Sequence, residues 1–179
     1  MALPLHDGTW IIDPAHTEVG FSVRHLGVSK VRGRFTGVEG KLAVGEDLAD
    51  TRVDVSVDLS TVETGNADRD AHLRSGDFFN TDTHPTMSFS STGIRADGDD
   101  YVLEGELTVN GVTRPVELAV EFNGVGTNPF TQAEQAGFSA KGSLNRKDFG
   151  IDWNVPLNAG GVLVGDKVEI SIEAEVAAS

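Results

Sequence analysis

Five histidines and 28 acidic side chains give this 179-residue chain enough titratable groups for metal or acid–base chemistry. The nearest approach to a site is Asp70 with His25 or His72, because a carboxylate beside an imidazole is the usual pairing for general-base or metal-binding work. The spacing does not develop it. There is no His-x-His, no His-Glu-x-x-His and no Gly-x-Ser-x-Gly, so the conventional motifs of zinc, metalloprotease and α/β-hydrolase chemistry are missing. Cysteine is absent, which removes a disulfide framework, a thiol nucleophile and a thiolate metal site. No catalytic or metal-ligating set is assigned, and no cofactor is expected. His25 and His72 read either as hydrogen-bonded structural groups or as polar contacts to a ligand head. Arg69 beside Asp70 reads as a capping ion pair or as a headgroup contact.

Positioning these groups falls to the elements around them, and the pattern changes at residues 64–80. On both sides apolar and polar residues alternate at period two, whereas Ala67, Ala71 and Leu73 fall at helical spacing behind Asn66, a good N-cap. Residues 66–75 are therefore predicted to form one short helix. Asp68 and Asp70 lie in its first turn and Arg74 in its last, as the helix dipole favours, and Gly76 follows as a stop. Phe78 and Phe79 come next, as structural plugs or as ligand contacts.

The rest reads as strands. Val19, Phe21 and Val23 share one face of residues 18–24, and 25–30 reads as a tight connector. Residues 31–44 form a long strand with Phe35 inward, broken by Gly33, Gly37 and Gly40. Val53, Val55, Val57 and Leu59 alternate in 51–59, and Met87 and Phe89 point inward in 86–94. Tyr101, Leu103, Leu107 and Val109 are followed by the Asn110-Gly111 hairpin signal and by Val116, Leu118, Val120 and Phe122. A loop is expected over 124–135. Phe138, Ala140 and Leu144 come next, and the chain closes with a strand over 167–176. Residues 145–150 and Trp153 are expected to close the mouth, with Trp153 touching a ligand.

Roughly eight antiparallel strands joined by hairpins make a barrel whose interior holds side chains or one slender ligand. Phe21, Val23, Phe35, Val55, Met87, Phe89, Leu103, Leu107, Leu118 and Phe138 accordingly read as a packed core or as a cavity wall. The whole chain, 1–179, is expected to be one domain, with 1–8 flexible.

Charge narrows the partners. A formal net charge of −14 argues against a nucleic-acid surface. Lys30, Arg32 and Arg34 on one side of a strand read as a solvated, paired face or as a docking patch for an anionic head or membrane surface. No segment is long enough to span a membrane. The opening residues show neither a basic n-region nor an apolar h-region, so a cytoplasmic location is expected. A homodimer remains open.

Several motifs in this order resemble the YceI-like family. They are Trp10 with Asp13 and His16, Phe21-x-Val23-x-His25, and Val31-x-Gly33-x-Phe35. Next come Arg69-Asp70-x-His72-Leu73-Arg74 before Phe78-Phe79, then His84-Pro85. Last are Gly105-x-Leu107-Thr108-x-x-Gly111-Val112-Thr113 and Asn145-Arg146-x-Asp148-Phe149-Gly150. The resemblance implies an all-β, extended lipocalin-like barrel with the helix as lid. It also implies a non-enzymatic binder that sequesters or carries a long isoprenoid lipid, a polyisoprenoid or an isoprenoid quinone. Many relatives carry a signal peptide and are periplasmic, unlike this sequence. The alternative is an enzyme acting on a bound lipid or small molecule through His25, Asp70 and His72.

Overall fold

The computed structural model describes residues 2–179. Alternation of apolar and polar side chains builds β1 (Gly8–Ile12), β2 (Glu18–His25), β3 (Ser29–Phe35), β4 (Val38–Val44), β5 (Arg52–Asp58) and β6 (Val62–Glu63). After the helix α1 (Ala67–Arg74) come β7 (Thr86–Asp97), β8 (Asp100–Val109), β9 (Val112–Thr127), β10 (Glu134–Asn145) and β11 (Val164–Ala178). One antiparallel sheet closes on itself because β11 pairs with β10 along one edge and with β1 and β2, end to end, along the other. In the same way β3 and β4 lie end to end against β2 and β1, and β6 and β5 against β3 and β4. The result is an eight-staved barrel: three interrupted staves and five continuous ones. Among the described residues no helix is long and apolar enough to cross a membrane.

The three interruptions lie side by side, at residues 13–17, 36–37 and 59–61, and threonine hydroxyls bridge them. Thr61 Oγ1 accepts the N–H groups of Thr36 and Gly37 at 3.2 and 3.0 Å. Thr17 Oγ1 donates to the Glu175 carbonyl at 3.3 Å and accepts its N–H at 3.1 Å. His16 spans the first break, with Nδ1 2.8 Å from Asp13 and 3.2 Å from Glu175. The hydrogen bond to Asp13, followed by the Glu175 charge, raises the pKa of His16.

Element boundaries differ from the sequence reading where backbone pairing outlasts the pattern. The connector at 25–30 shortens to Leu26–Val28, because Leu26 and Gly27 take positive φ and turn the chain at once. The loop expected over 124–135 shortens to 128–133, since Gly124–Thr127 still pair with β10. The segment before β1 reaches back onto the barrel at two points. Leu3 is buried, and the Trp10 indole donates to the His6 carbonyl at 3.2 Å. Met1 lies outside the described residues.

Apolar packing is strongest at one end of the barrel, where Trp10 is fully buried among Leu3, Leu42, Leu48, Ala136 and Val176. A second cluster at mid-height joins Phe35, Val38, Val57, Leu59 and Val62, and a third at the other end joins Phe78, Val109, Phe149 and Ile151. Two glycines make room for the inner wall. A Cβ at Gly33 would stand 2.4 Å from the Phe21 ring, and one at Gly105 2.3 Å from the Phe89 ring.

Candidate functional site

Between the first and third clusters the barrel is hollow. A cavity of about 460 Å³ runs from Leu3, Ile94 and Tyr101 at the first end to Trp153 and Leu163 at the other. That volume lies within the ~300–1,000 Å³ usual for ligand pockets. Of the residues expected to face a ligand, all but Asp70 line it: Phe21, Val23, His25, Phe35 and Val55; Arg69, Phe78, Phe79, Met87 and Phe89; and Leu103, Leu107, Leu118, Phe138 and Trp153.

The lid is α1, and its inward face takes in only part of the apolar spacing read from the sequence. Ala67 and Ala71 are exposed, whereas Arg69, His72 and Leu73, three and four residues apart, line the cavity. A methyl group buries little area, so the longer side chains take the inward face. Asn66 caps the helix, accepting the Arg69 N–H at 3.0 Å. At the other end Ser75 is the C-cap and Gly76 follows it. The carbonyls of Leu73 and Arg74 are taken by the N–H groups of Phe79 and Thr81, both at 3.0 Å.

Arg69 and Asp70 form no ion pair with one another among the described residues; both hold Thr64 at the end of β6. Asp70 Oδ1 accepts from the Thr64 N–H at 2.9 Å and from its hydroxyl at 2.5 Å. The Arg69 guanidinium donates to that same hydroxyl and to the Thr64 carbonyl, both at 2.7 Å. Asp70 therefore anchors the lid without facing the cavity. His72 Nε2 lies 2.9 Å from Asp77, and its ring meets Phe78 and Trp153 edge-on at centroid distances of 5.0 and 4.7 Å. Asp70 is thus occupied by Thr64 and His72 by Asp77, while His25 sits on the cavity wall at the end of β2. The carboxylate–imidazole constellation considered from the sequence is not assembled.

Arg146 is the functional residue that sequence reasoning missed. It begins a single 3-10 turn after β10, is buried, and lines the cavity. Its guanidinium donates to the carbonyls of Gly165, Ile151 and Trp153 at 2.8–2.9 Å and to that of Val164 at 3.3 Å. Burial lowers its pKa, opposed by the charges of Asp166 and Asp152. One side chain thereby ties residues 151–153 to β11 and fixes Trp153 over the mouth. The hydrogen-bond partners are backbone carbonyls, and the one carboxylate in ion-pair range, Asp166 at 3.8 Å, stands far along the chain, so no telling spacing marks the role.

On the outer wall the cationic row is partly neutralised. Lys30 pairs with Glu169 at 3.1 Å, and Arg34 with Glu18 and Glu63 at 3.0 and 3.2 Å. Those two fit the solvated-face reading. Arg32 and its neighbour Arg24 on β2 have no carboxylate partner among the described residues.

Apart from the Tyr101 phenol, the ionisable residues on the cavity wall are bases (His25, Lys41, Arg69, His72 and Arg146), and no carboxylate lines it among the described residues. Such a site can hold a long apolar body and offer hydrogen-bond donors to one polar end.

A closed eight-staved barrel with a hollow apolar interior and one helix defines the extended lipocalin-like class. Within that class the chain belongs to the YceI-like domain family, whose model matches residues 10–176. Protein YceI of Escherichia coli O17:K52:H18 is 42% identical over 137 residues, 76% of this chain and 71% of that one. Among solved structures, Burkholderia cenocepacia BcnA superposes with a TM-score of 0.76 at 20% identity, covering 92% of this chain and 98% of that one. A polyisoprenoid binding domain from Saccharophagus degradans, implicated in plant cell wall breakdown, gives a TM-score of 0.68 at 14% identity. It covers 97% of this chain and 100% of that chain. At these identities the two structures establish the fold.

Proposed function

We propose that this protein binds a long-chain isoprenoid lipid, a polyisoprenoid or an isoprenoid quinone, and sequesters or carries it without chemical change. The observation that carries this reading is the continuous apolar cavity of about 460 Å³ between Leu3 and Trp153. Each buried methylene of a guest contributes about 0.8 kcal/mol before the cost of ordering the chain is subtracted. A flexible branched tail therefore gains more from such a tunnel than a compact molecule does. Family membership and the polyisoprenoid-binding neighbour support the same class.

His25, Arg69 and His72 gather hydrogen-bond donors at the lidded end, against Lys41 and Tyr101 toward the floor, so the oxygen-bearing head is assigned to the lidded end and the tail runs toward Trp10. An enzymatic role has weaker support. No carboxylate reaches the cavity, and the lining hydroxyls, Thr17, Ser88 and Tyr101, have no imidazole partner among the described residues.

Native mass spectrometry of freshly purified protein, with organic extraction of what co-purifies, tests the reading. The expected result is an isoprenoid adduct that is recovered unaltered, and that is absent from Leu107→Arg protein whose circular dichroism remains native. Protein that carries no adduct and takes up no added polyprenol or quinone would refute it.

A further inference from the structure

Chain segments free of carboxylates stand out in a protein of net charge −14. Residues 19–38 contain no Asp or Glu but carry Arg24, Lys30, Arg32 and Arg34, and residues 153–165 contain no charged side chain. The fold brings these two stretches together at the lidded end. The Leu26 N–H donates to the Leu163 carbonyl at 2.9 Å, and His25 pairs with Val164. The second stretch is itself a hairpin, held by Leu163 N–H to Val155 carbonyl at 2.9 Å and by the Pro156–Val162 bridge.

The two joined tips leave apolar side chains in water. Val28 is 80% exposed, and Leu26, Val155 and Val162 are each more than 40% exposed. Leu163 and Val164 of the same segments line the cavity, so the exposed tips are continuous with its mouth. Arg24 and Arg32 stand behind them on the outer wall, without carboxylate partners among the described residues. Apolar tips backed by unpaired cations, at the opening of an apolar tunnel, match the chemistry of an anionic bilayer surface, with acyl chains beneath charged heads.

We propose that the hairpin side of the lidded end docks on the anionic surface of a lipid bilayer. Leu26, Val28, Val155 and Val162 enter the interface while Arg24 and Arg32 contact the headgroups. The helix side of the same mouth carries Asp68, Asp77 and Asp82, all exposed, which confines the contact to the hairpin side. The opposite end is excluded by the same rule. Its loops present Glu46, Asp47, Asp97, Asp99 and Asp100, and its most exposed apolar residue, Phe130, has no cation beside it in the 128–133 loop. The inference rests on the carrier reading, for which docking at the mouth would let a lipid pass without crossing water.

The test is co-sedimentation of the full chain with vesicles of phosphatidylglycerol and phosphatidylcholine, against vesicles of phosphatidylcholine alone, at low ionic strength. Because the vesicles hold no isoprenoid, failure here leaves the cavity reading to its own extraction experiment, and the converse also holds. Wild-type protein is expected to sediment with the anionic vesicles and to be released by salt. Leu26→Glu with Val28→Glu should lower the partition at least tenfold. Arg24→Gln and Arg32→Gln should each lower it about fivefold, the equivalent of ~1 kcal/mol per cation at an anionic surface. Phe130→Glu should leave it unchanged. All these positions are exposed, so native circular dichroism is expected throughout. Absence of wild-type binding, equal binding to neutral vesicles, or an equal loss in the Phe130 variant each overturns the proposal. So does a wild-type dimer that the tip variant dissociates without any vesicle binding, since that would make the tips a contact between copies.

Discussion

At one end of the barrel Trp10 lies fully buried among Leu3, Leu42, Leu48, Ala136 and Val176; at the other, α1 is held by Thr64, and residues 151–153 by the Arg146 guanidinium. The first closure is area taken out of water, and opening it exposes all of that area at once. The second adds directional polar bonds to a smaller buried cluster, Phe78, Val109, Phe149 and Ile151. Water can replace each of those bonds, so their net worth is ~0.5–1.5 kcal/mol apiece. A container with a permanent floor and a releasable cover needs this division. It places ligand exchange at the lid without requiring that the core loosen.

Breaking the floor should have the largest effect. Trp10→Ala removes a wholly buried indole, and a loss of about 3–5 kcal/mol in unfolding free energy is expected from urea titration. A cost under ~1 kcal/mol would mean that the floor is not the stable end. Next in size is Arg146→Met, which keeps the length of the side chain but leaves the Ile151, Trp153, Gly165 and Val164 carbonyls without their donor. About 2–3 kcal/mol is expected, with faster amide exchange over 150–165 and little change around Trp10. Exchange that rises equally at both ends would erase the distinction between them.

The smallest effect sharpens the comparison most. Asp70→Ala frees Thr64 from one of its two partners and should cost only about 1 kcal/mol. It should nonetheless speed amide exchange over 64–80 and shorten retention of a bound lipid. Glu46→Ala, in an exposed turn at the floor end, is the control. If the two variants exchange and release alike, the lid is a passive cap.

The strands were legible wherever one face is buried and the other wet. Val53, Val55 and Val57 against Arg52, Asp54 and Ser56 allow one assignment, because a slip of one residue would turn the valines to water. Pairing over 124–127 was not legible, since Gly124 and Gly126 offer no pattern and only the opposing strand holds them. The helix was found through Asn66, but the spacing did not fix its inward face. Of Ala67, Ala71 and Leu73 only Leu73 turns in, beside Arg69 and His72, whose length and hydrogen bonding decide the rest. Docking of Leu3 was equally hidden, because a short apolar terminus shows no periodicity until a neighbour such as Trp10 is in place.

The aligned interruptions at 13–17, 36–37 and 59–61 give the barrel unequal stiffness. Five staves run unbroken from rim to rim, whereas three are jointed at one height and spanned by the hydroxyls of Thr17 and Thr61. A side-chain hydroxyl can follow a shifting backbone by rotating, which a rigid ladder of amides cannot do. The jointed wall, with Phe35 and Leu59 at the crease, is therefore the compliant side, and the wall bearing Phe89 and Leu107 is the stiff back. A guest with a thicker chain would widen the lumen toward the crease, as a bellows yields along its fold, and leave the far wall in place.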